Sequence, residues 1–444
     1  MQTRTEHRAL TVGWKLVLLL VHFAAVVIAV FLALYSRFRV DEAFDYFAAN
    51  RNAFFAFIFF CLPSFYIAGL YEPKNVQNPK NIIRLTLWAT FAAAVLSVLT
   101  LYGRLMNPLG RGAFVLTVFF TVLFISFFTA IYGKTFPRSR FLLRLVFINE
   151  DPLHQELIKL INANPHCGYA IDRVISPFNL RRVYNERIEG LILPTGSIAP
   201  EVARALRKSR FNGMEIYDPV FLYGELTGQV PVDFLTETWL FSAALSHSLF
   251  HVYKIKRLLD ILVSLAGLIL FLPIFPLLAL AIKLDSRGPV FYGQERVGRN
   301  GKLFVITKLR TMVYNAEKAN RPVWAEKNDP RVTRLGRMLR RMRLDEFLQL
   351  INVLRGEMSL IGPRPERREF VQELSRKIPF YEERILLQPG ITGWAQVNYP
   401  YAASLEDSKQ KLQYDLYYYK NVSLWLDMTI FLRTMRVILS AAGR

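Results

Sequence analysis

Histidine and cysteine are scarce in this 444-residue chain, and neither occurs in its C-terminal part. All six histidines (His7, His22, His154, His166, His247 and His251) precede residue 252, and so do both cysteines. Chemistry beyond that point must therefore run on carboxylates, hydroxyls, amines or a bound metal. Cys61 stands in an apolar run and Cys167 far away in a polar one, which argues against a disulfide. No two aspartates stand two residues apart, so the D-x-D metal motif of many glycosyltransferases is absent, and a processive glycosyltransferase is disfavoured. Acidic residues are the minority charge, 35 against 56 Lys and Arg, for a formal net charge of +21. Such an excess calls for an acidic partner: nucleic acid, anionic lipid or a phosphorylated substrate.

Apolar residues are plentiful, at 52% with 35 Phe, and the chain is too long for one ordinary soluble domain. Four apolar runs come first, at 14–35, 53–70, 82–102 and 113–132, each near the ~20 residues that cross a bilayer as a helix. Core helices of a soluble protein are the other reading. With the N-terminus inside, the inner flanks carry Arg4, Arg8, Lys15, Lys74, Lys80, Arg84, Lys134, Arg138, Arg140 and Arg144. The outer loops carry only Arg37, Arg39, Arg51, Arg104 and Arg111. That bias favours a membrane region over residues 1–140, with both of its ends in the cytoplasm. No small-residue cleavage pattern follows the first run, so it reads as a retained helix.

Residues 141–250 change character. Short apolar runs at 144–149, 170–175, 190–194 and 213–217 alternate with helix-like stretches at 154–162 and 200–209, which reads as a small Rossmann-like α/β domain with parallel strands. A dinucleotide site would need G-x-G-x-x-G after the first strand. The turn here is Asn149-Glu150-Asp151-Pro152-Leu153, with no glycine and two acids. A structural or regulatory domain that binds no cofactor is expected.

A third unit, 251–444, opens with the apolar run 258–282. Pro273 and Pro276 lie near its middle, and both ends are basic (Lys254, Lys256 and Arg257; Lys283 and Arg287). A proline-kinked spanning helix is one reading. It would translocate 32 Lys/Arg and 18 Asp/Glu between positions 254 and 444, a net +14. A re-entrant hairpin that turns at Pro273 and Pro276 fits the charges better. Farther on, 331–343 holds six arginines and no acid, with Val332, Leu335, Leu339 and Met342 at helical spacing, a pattern able to lie on anionic lipid. Leu424, Trp425, Met428, Leu432, Met435 and Leu439 form a second stripe, suited to an interface or to a core.

The most informative stretch runs Arg343-Leu-Asp345-Glu346-Phe-Leu-Gln349-Leu-Ile-Asn352-Val-Leu-Arg-Gly356 and ends Gly362-Pro363-Arg364-Pro365. An acidic pair alone means little. This one follows an arginine run and precedes an amphipathic helix, at whose N-terminus free N–H groups favour negative charge and can hold phosphate. Two adjacent carboxylates can give oxygens to Mg²⁺, which otherwise keeps water and substrate phosphates. Pro363 and Pro365 stiffen the chain around Arg364, whose fork suits phosphoryl oxygens. No nucleic-acid-reading motif is present, and lipid and phosphate account for the charge.

Three segments in order carry a resemblance. Lys308-Leu-Arg310-Thr-Met312, the stretch from Asp345-Glu346 to Arg364-Pro365, and Gln388-Pro-Gly390-Ile-Thr-Gly393-Trp-Ala-Gln396-Val-Asn398 look like the bacterial sugar transferases. These are polyprenyl-phosphate hexose-1-phosphate transferases, here of the large monotopic phosphoglycosyl transferase kind. The tail with Gln413-Tyr-Asp415-Leu-Tyr-Tyr-Tyr-Lys420 resembles the exopolysaccharide type.

The resemblance implies a membrane protein with four N-terminal helices, an α/β domain and a C-terminal catalytic domain. It implies that Asp345 is the nucleophile and that Glu346 helps it hold Mg²⁺. Arg364, and with it Lys308 and Arg310, would bind phosphate. The implied reaction passes a hexose-1-phosphate from a UDP-sugar to polyprenyl (undecaprenyl) phosphate through an aspartyl intermediate, releasing UMP at the cytoplasmic face of the bacterial inner membrane. Family members often carry Ser-Pro at the re-entrant bend, where this chain has Leu272-Pro273. A fold contact to an acid is the other reading of Arg310, and Trp394 reads equally as core residue or uracil stack. A homodimer through the α/β domain is open to the chain.

Overall fold

The computed structural model describes residues 2–71, 79–102, 111–135, 143–164, 167–176, 190–196, five positions from 200 to 207, 215–245, 250–313, 329–399 and 404–439. The chain divides into two compact units, Met1–Pro219 and Val220–Arg444.

The first unit begins with four helices, α1 (Gln2–Tyr35), α2 (Val40–Ala68), α3 (Pro79–Tyr102) and α4 (Arg111–Thr135), one for each apolar run. All four are long and apolar enough to cross a membrane. Packing between them relies on small side chains. Ala25, Ala29 and Ala33 share one face of α1 and are fully buried, which lets backbones approach closely where lipid offers no hydrophobic drive. His22 supplies a polar tie. Thr129 donates its hydroxyl to Ile125 O, so it accepts from His22 Nε2 at 3.0 Å, and Tyr71 OH serves Nδ1 at 3.2 Å. Of the flanking basic residues, Lys74, Arg104, Arg138 and Arg140 lie outside the described residues.

The same unit holds a small parallel sheet, β1 (Leu143–Ile148), β2 (Tyr169–Ile175), β3 (Gly190–Ile192) and β4 (Glu215–Tyr217), in the order β2-β1-β3-β4. Helix α5 (Pro152–Ala163) follows β1. The acid of the β1–α5 turn has a local use. Asp151 caps α5 by accepting from His154 N at 2.9 Å, and it accepts from both Thr195 N and Thr195 Oγ1 beyond β3. Most of the expected 200–209 helix, and positions 213–214 of the last strand, lie outside the described residues.

The second unit starts with α6 (Pro219–Thr227) and α7 (Glu237–Leu245) and continues into α8 (Phe250–Phe271) and α9 (Phe275–Asp285). The hairpin β5 (Phe291–Val297) and β6 (Leu303–Leu309) is antiparallel. Then come α10 (Arg334–Arg341), α11 (Gln349–Arg355), β7 (Ser359–Ile361), α12 (Arg368–Lys377) and β8 (Gly390–Thr392), with β7 and β8 paired in parallel. Short α13 (Trp394–Asn398), α14 (Leu405–Lys420) and α15 (Leu424–Leu439) end the fold.

Helices α8 and α9 are bent by 63° at a short break. The break falls at Leu272–Ile274, where Pro273 brings no N–H; Leu272 N and Ile274 N still find Leu268 O and Phe271 O. Pro276 lies in the first turn of α9, where its missing donor costs nothing. The run 258–282 also contains an acid the apolar pattern overlooked. Asp260 accepts from Leu360 N at 3.0 Å, and one turn earlier Arg257 donates to the last carbonyls of α11, Val353 O at 2.5 Å and Leu354 O at 2.8 Å.

The stripe expected to lie on lipid at 331–343 turns inward instead. Leu339 is fully buried, and Leu335 packs with it against Phe271, Ile282 and Leu309. Only Met338 and Met342 face outward with the arginines. An eight-residue helix that closes the core beside α9 spends Leu335 and Leu339 there and keeps only the two methionines outside. On α15 the stripe splits: Trp425 and Met428 are exposed, while Leu424, Leu432 and Met435 are half-buried.

Candidate active site

Helix α10 ends at Met342, and Arg343 takes a left-handed backbone at φ 55°, uncommon for a residue with a side chain. That reversal throws the chain into a single 3₁₀ turn, Leu344–Glu346, ahead of α11. Asp345 and Glu346 therefore stand near a helix start, as the sequence suggests, yet the helix is short and lies two residues on. Cations, more than a helix dipole, hold the charge here. Both carboxylates are buried, at 7% exposure each.

The two acids are treated differently. Glu346 Oε1 accepts from Arg364 NH2 at 2.8 Å and Lys308 Nζ at 3.2 Å, and its Oε2 accepts from Arg343 NH1 at 3.3 Å. Burial alone would raise its pKa, but Arg364, Lys308 and Arg343 outweigh it and hold Glu346 well below the usual carboxylate range. Asp345 receives no hydrogen bond among the described residues. Burial first, and then the neighbouring Glu346 charge, push its pKa up, against the pull of Lys308 and Arg340. The pair thus consists of one ionised anchor and one unpartnered carboxylate.

Each surrounding cation is fixed by its element. Lys308 comes from the end of β6. Arg364 sits in a loop that several groups clamp: Arg384 NH2 donates to Arg364 O at 3.0 Å, Arg296 NH1 to Pro365 O at 3.2 Å, and Gly390 N to Pro363 O at 2.8 Å. Three glycines make that clamp possible. A Cβ at Gly362 would lie 2.2 Å from Gln388 O, and one at Gly390 or Gly393 would lie 2.1 Å from Gly362 backbone atoms. Arg384 is itself held by a buried pair with Asp415 at 2.8 Å and by Tyr381 OH at 2.9 Å.

Arg310 does not join this group. Its NH2 donates to Ile282 O at 3.0 Å and Ser286 O at 2.6 Å, closing the C-terminus of α9. Strand alternation would put it on the side of Lys308, but β6 ends at Leu309 and the alternation ends with it. Trp394 takes the core reading: it is buried, donates from Nε1 to Gly228 O at 2.7 Å, and stacks on Tyr417. Pro273 and Pro276 belong to the α8–α9 bend.

Arg340, Arg343 and Arg384 escaped the sequence reading. The first two were hidden in an arginine run whose spacing suits a surface helix equally well. Arg384 and Asp415 are 31 residues apart, and nothing local links them.

Among the described residues, no group of three or more His, Cys, Asp or Glu side chains could hold a metal. A magnesium ion asks for less. It is commonly held by one or two carboxylates, with phosphates and water completing its shell, and the free Asp345 oxygens beside Glu346 fit that donor set.

Comparison with known proteins bears on the family. The family profile described as "Bacterial sugar transferase" matches residues 251–441. An Aeromonas hydrophila protein named UDP-N-acetylgalactosamine-undecaprenyl-phosphate N-acetylgalactosaminephosphotransferase is 44% identical over 246 residues, 55% of this chain and 57% of its own length. A match that long reaches upstream of residue 251. The Komagataeibacter xylinus undecaprenyl-phosphate glucose phosphotransferase is 42% identical over 186 residues, 41% of this chain and 35% of the relative. A Caulobacter vibrioides UDP-glucose:undecaprenyl-phosphate glucose-1-phosphate transferase is 43% identical over 187 residues, 42% of this chain and 70% of the relative. The chain thus spans 57% and 35% of the first two relatives and more than two thirds of the third. On these grounds the chain belongs to the bacterial sugar transferase family.

Proposed function

We propose that this chain is a membrane enzyme that passes a hexose-1-phosphate from a UDP-sugar to undecaprenyl phosphate, with Asp345 as nucleophile. The observation that carries the reading is the asymmetry of the acidic pair, an Asp345 with no hydrogen bond among the described residues beside a Glu346 that gathers three cations. An Asp345 oxygen attacks the sugar-bearing phosphorus; a P–O bond to aspartate forms and the bond to the bridging oxygen breaks, so UMP leaves with that electron pair. An oxygen of the polyprenyl phosphate then attacks the same phosphorus, and the aspartate carboxylate leaves. The products are UMP and a polyprenyl diphosphosugar, with no redox change.

Lys308 and Arg364, held by Glu346, present positive charge beside the reacting phosphoryl oxygens. When Mg²⁺ is bound, Asp345 and Glu346 would hold it, and it would neutralise diphosphate charge. The named substrates of the relatives, undecaprenyl phosphate with UDP-glucose or UDP-N-acetylgalactosamine, support the same donor and acceptor classes here. The product suits the first membrane step of an exopolysaccharide or related glycan.

The α8–α9 pair is re-entrant in this reading. Its first part bonds through Arg257 to α11, Asn352 of α11 donates to Val305 O of β6, and Arg310 just past β6 bonds the end of α9. Both ends of the pair therefore rest on one folded body, whereas the ends of a spanning helix lie about 30 Å apart across hydrocarbon. With four crossings before it, the site faces the cytoplasm of the inner membrane. The test is UMP release from a panel of UDP-sugars with undecaprenyl phosphate supplied; release by wild type and none by Asp345→Asn supports the reading, and equal release by both sinks it.

A further inference from the structure

Among the described residues, four cationic side chains gather around the Leu344–Glu346 turn, and three of them are engaged by Glu346. Arg340 is the fourth. It stands in the last turn of α10, which packs against the Asp345 turn, and its Nε donates to Thr311 Oγ1 at 2.8 Å. Among the described residues no carboxylate lies within ion-pair distance of it, and its two terminal nitrogens have no hydrogen-bond partner.

The side chain is nonetheless held in place. Thr333 N donates to Thr311 O at 3.1 Å, and Gly336 passes so close that a Cβ there would lie 2.1 Å from the same oxygen. The register of α10 against the strand segment that carries Lys308 is therefore fixed, and Arg340 with it. Burial depresses its pKa, and the charge that most offsets this is Asp345.

We propose that Arg340 is a catalytic residue whose free guanidinium fork grips the phosphoryl group while Asp345 attacks and carries it. The proposal rests on the phosphotransfer reading above. A direct ion pair would neutralise the attacking oxygen, whereas a fork set beyond ion-pair distance leaves that oxygen free and meets two non-bridging oxygens once phosphate enters. Arg340 stays protonated throughout and adds no bond change to the two displacements.

Wild type, Asp345→Asn, Arg340→Ala and Arg340→Lys would be purified and assayed for UMP release from a panel of UDP-sugars, with and without millimolar guanidinium chloride, alongside thermal unfolding. Arg340→Ala is expected to lose about 100-fold in kcat, on the order of removing one preorganised charge-stabilising donor. It should keep its KM and melting temperature close to wild type, and guanidinium should restore part of its rate while leaving the other proteins unimproved. Arg340→Lys should stay well below wild type, since a point charge lacks the fork. An Arg340→Ala enzyme within about threefold of wild type, far below the loss expected of such a donor, or one as impaired but deaf to guanidinium and less stable, would overturn the assignment alone. A wild type that releases no UMP while Asp345→Asn behaves identically would remove the phosphotransfer reading itself.

Discussion

Arg364 donates to Glu346 Oε1 over 2.8 Å, while the carboxylate one residue earlier, Asp345, receives no hydrogen bond among the described residues. One acid is therefore held charged by its neighbours, while burial and the adjacent Glu346 charge oppose ionisation of the other. The division suits a nucleophile, because an ion-paired carboxylate attacks poorly, and it has consequences for stability that are independent of turnover.

The sign of each stability effect follows from linkage. Asp345 has a raised folded pKa, so its favourable contribution is present at low pH and is lost as pH rises through that value; ionised, it costs stability. Asp345→Asn should be inactive yet melt above wild type at pH 7, with the gap closing as the pH falls through the acidic carboxylate range. Glu346 has a depressed folded pKa, so its contribution is present above the ordinary glutamate value and lost as pH falls through the lower one. Glu346→Gln should melt below wild type at pH 7, because three cations lose their shared counter-charge, and should turn over roughly 100-fold slower. Thermal unfolding of both variants across pH checks this; an Asp345→Asn protein less stable than wild type would contradict it.

Removing divalent metal should stop UMP release by the wild type, and added Mg²⁺ should restore it. The expectation comes from the donor set, two adjacent carboxylates with one free, which suits a hard cation that takes its remaining ligands from phosphate and water. Assays in EDTA, back-titrated with Mg²⁺, read this directly; full activity in EDTA would take the metal out of the account.

The catalytic unit should begin near residue 219. Trp394 Nε1 bonds Gly228 O, Val230 N bonds Gln413 O at 3.0 Å, and Lys409 pairs with Asp233 at 2.8 Å. A chain shortened to start at Pro219 should keep measurable activity in detergent. One shortened to Lys254 loses those ties, at about 1 kcal/mol for each buried hydrogen bond, and should be less stable and less active. Equal stability of the two would show that residues 219–253 add nothing.

Topology can be read with single cysteines in a Cys61- and Cys167-free background. Lys254→Cys, near the start of α8, and Arg287→Cys, just past α9, both at exposed positions, should both resist a membrane-impermeant thiol reagent in intact cells and both react in inverted vesicles. Labelling of Arg287→Cys from outside would mean a true span.

Much of this was legible in the sequence because its periodicity is local. Each apolar run near twenty residues became a helix, and the alternating short runs from Leu143 onward became a parallel sheet. The acidic pair and Arg364 stand out by their local setting, Lys308 follows from the resemblance, and the structure brings them together. What was not legible depends on distance in the chain or on which way a helix turns. The face of α10 was misassigned because Leu335 and Leu339 serve a core as well as a membrane. Arg310 bonds the end of α9 because the strand ends one residue before it, and Asp260 lies inside an apolar run while its partner, Leu360 N, is 100 residues away.

The covalent step is the centre of the account and can be measured by intact-peptide mass spectrometry. Wild-type protein incubated with its UDP-sugar, without acceptor, should give a peptide containing Asp345 heavier by one hexose phosphate, and added undecaprenyl phosphate should discharge it. Asp345→Asn should give none. Turnover by the wild type with no such adduct at Asp345, or the adduct on another residue, would contradict the assignment.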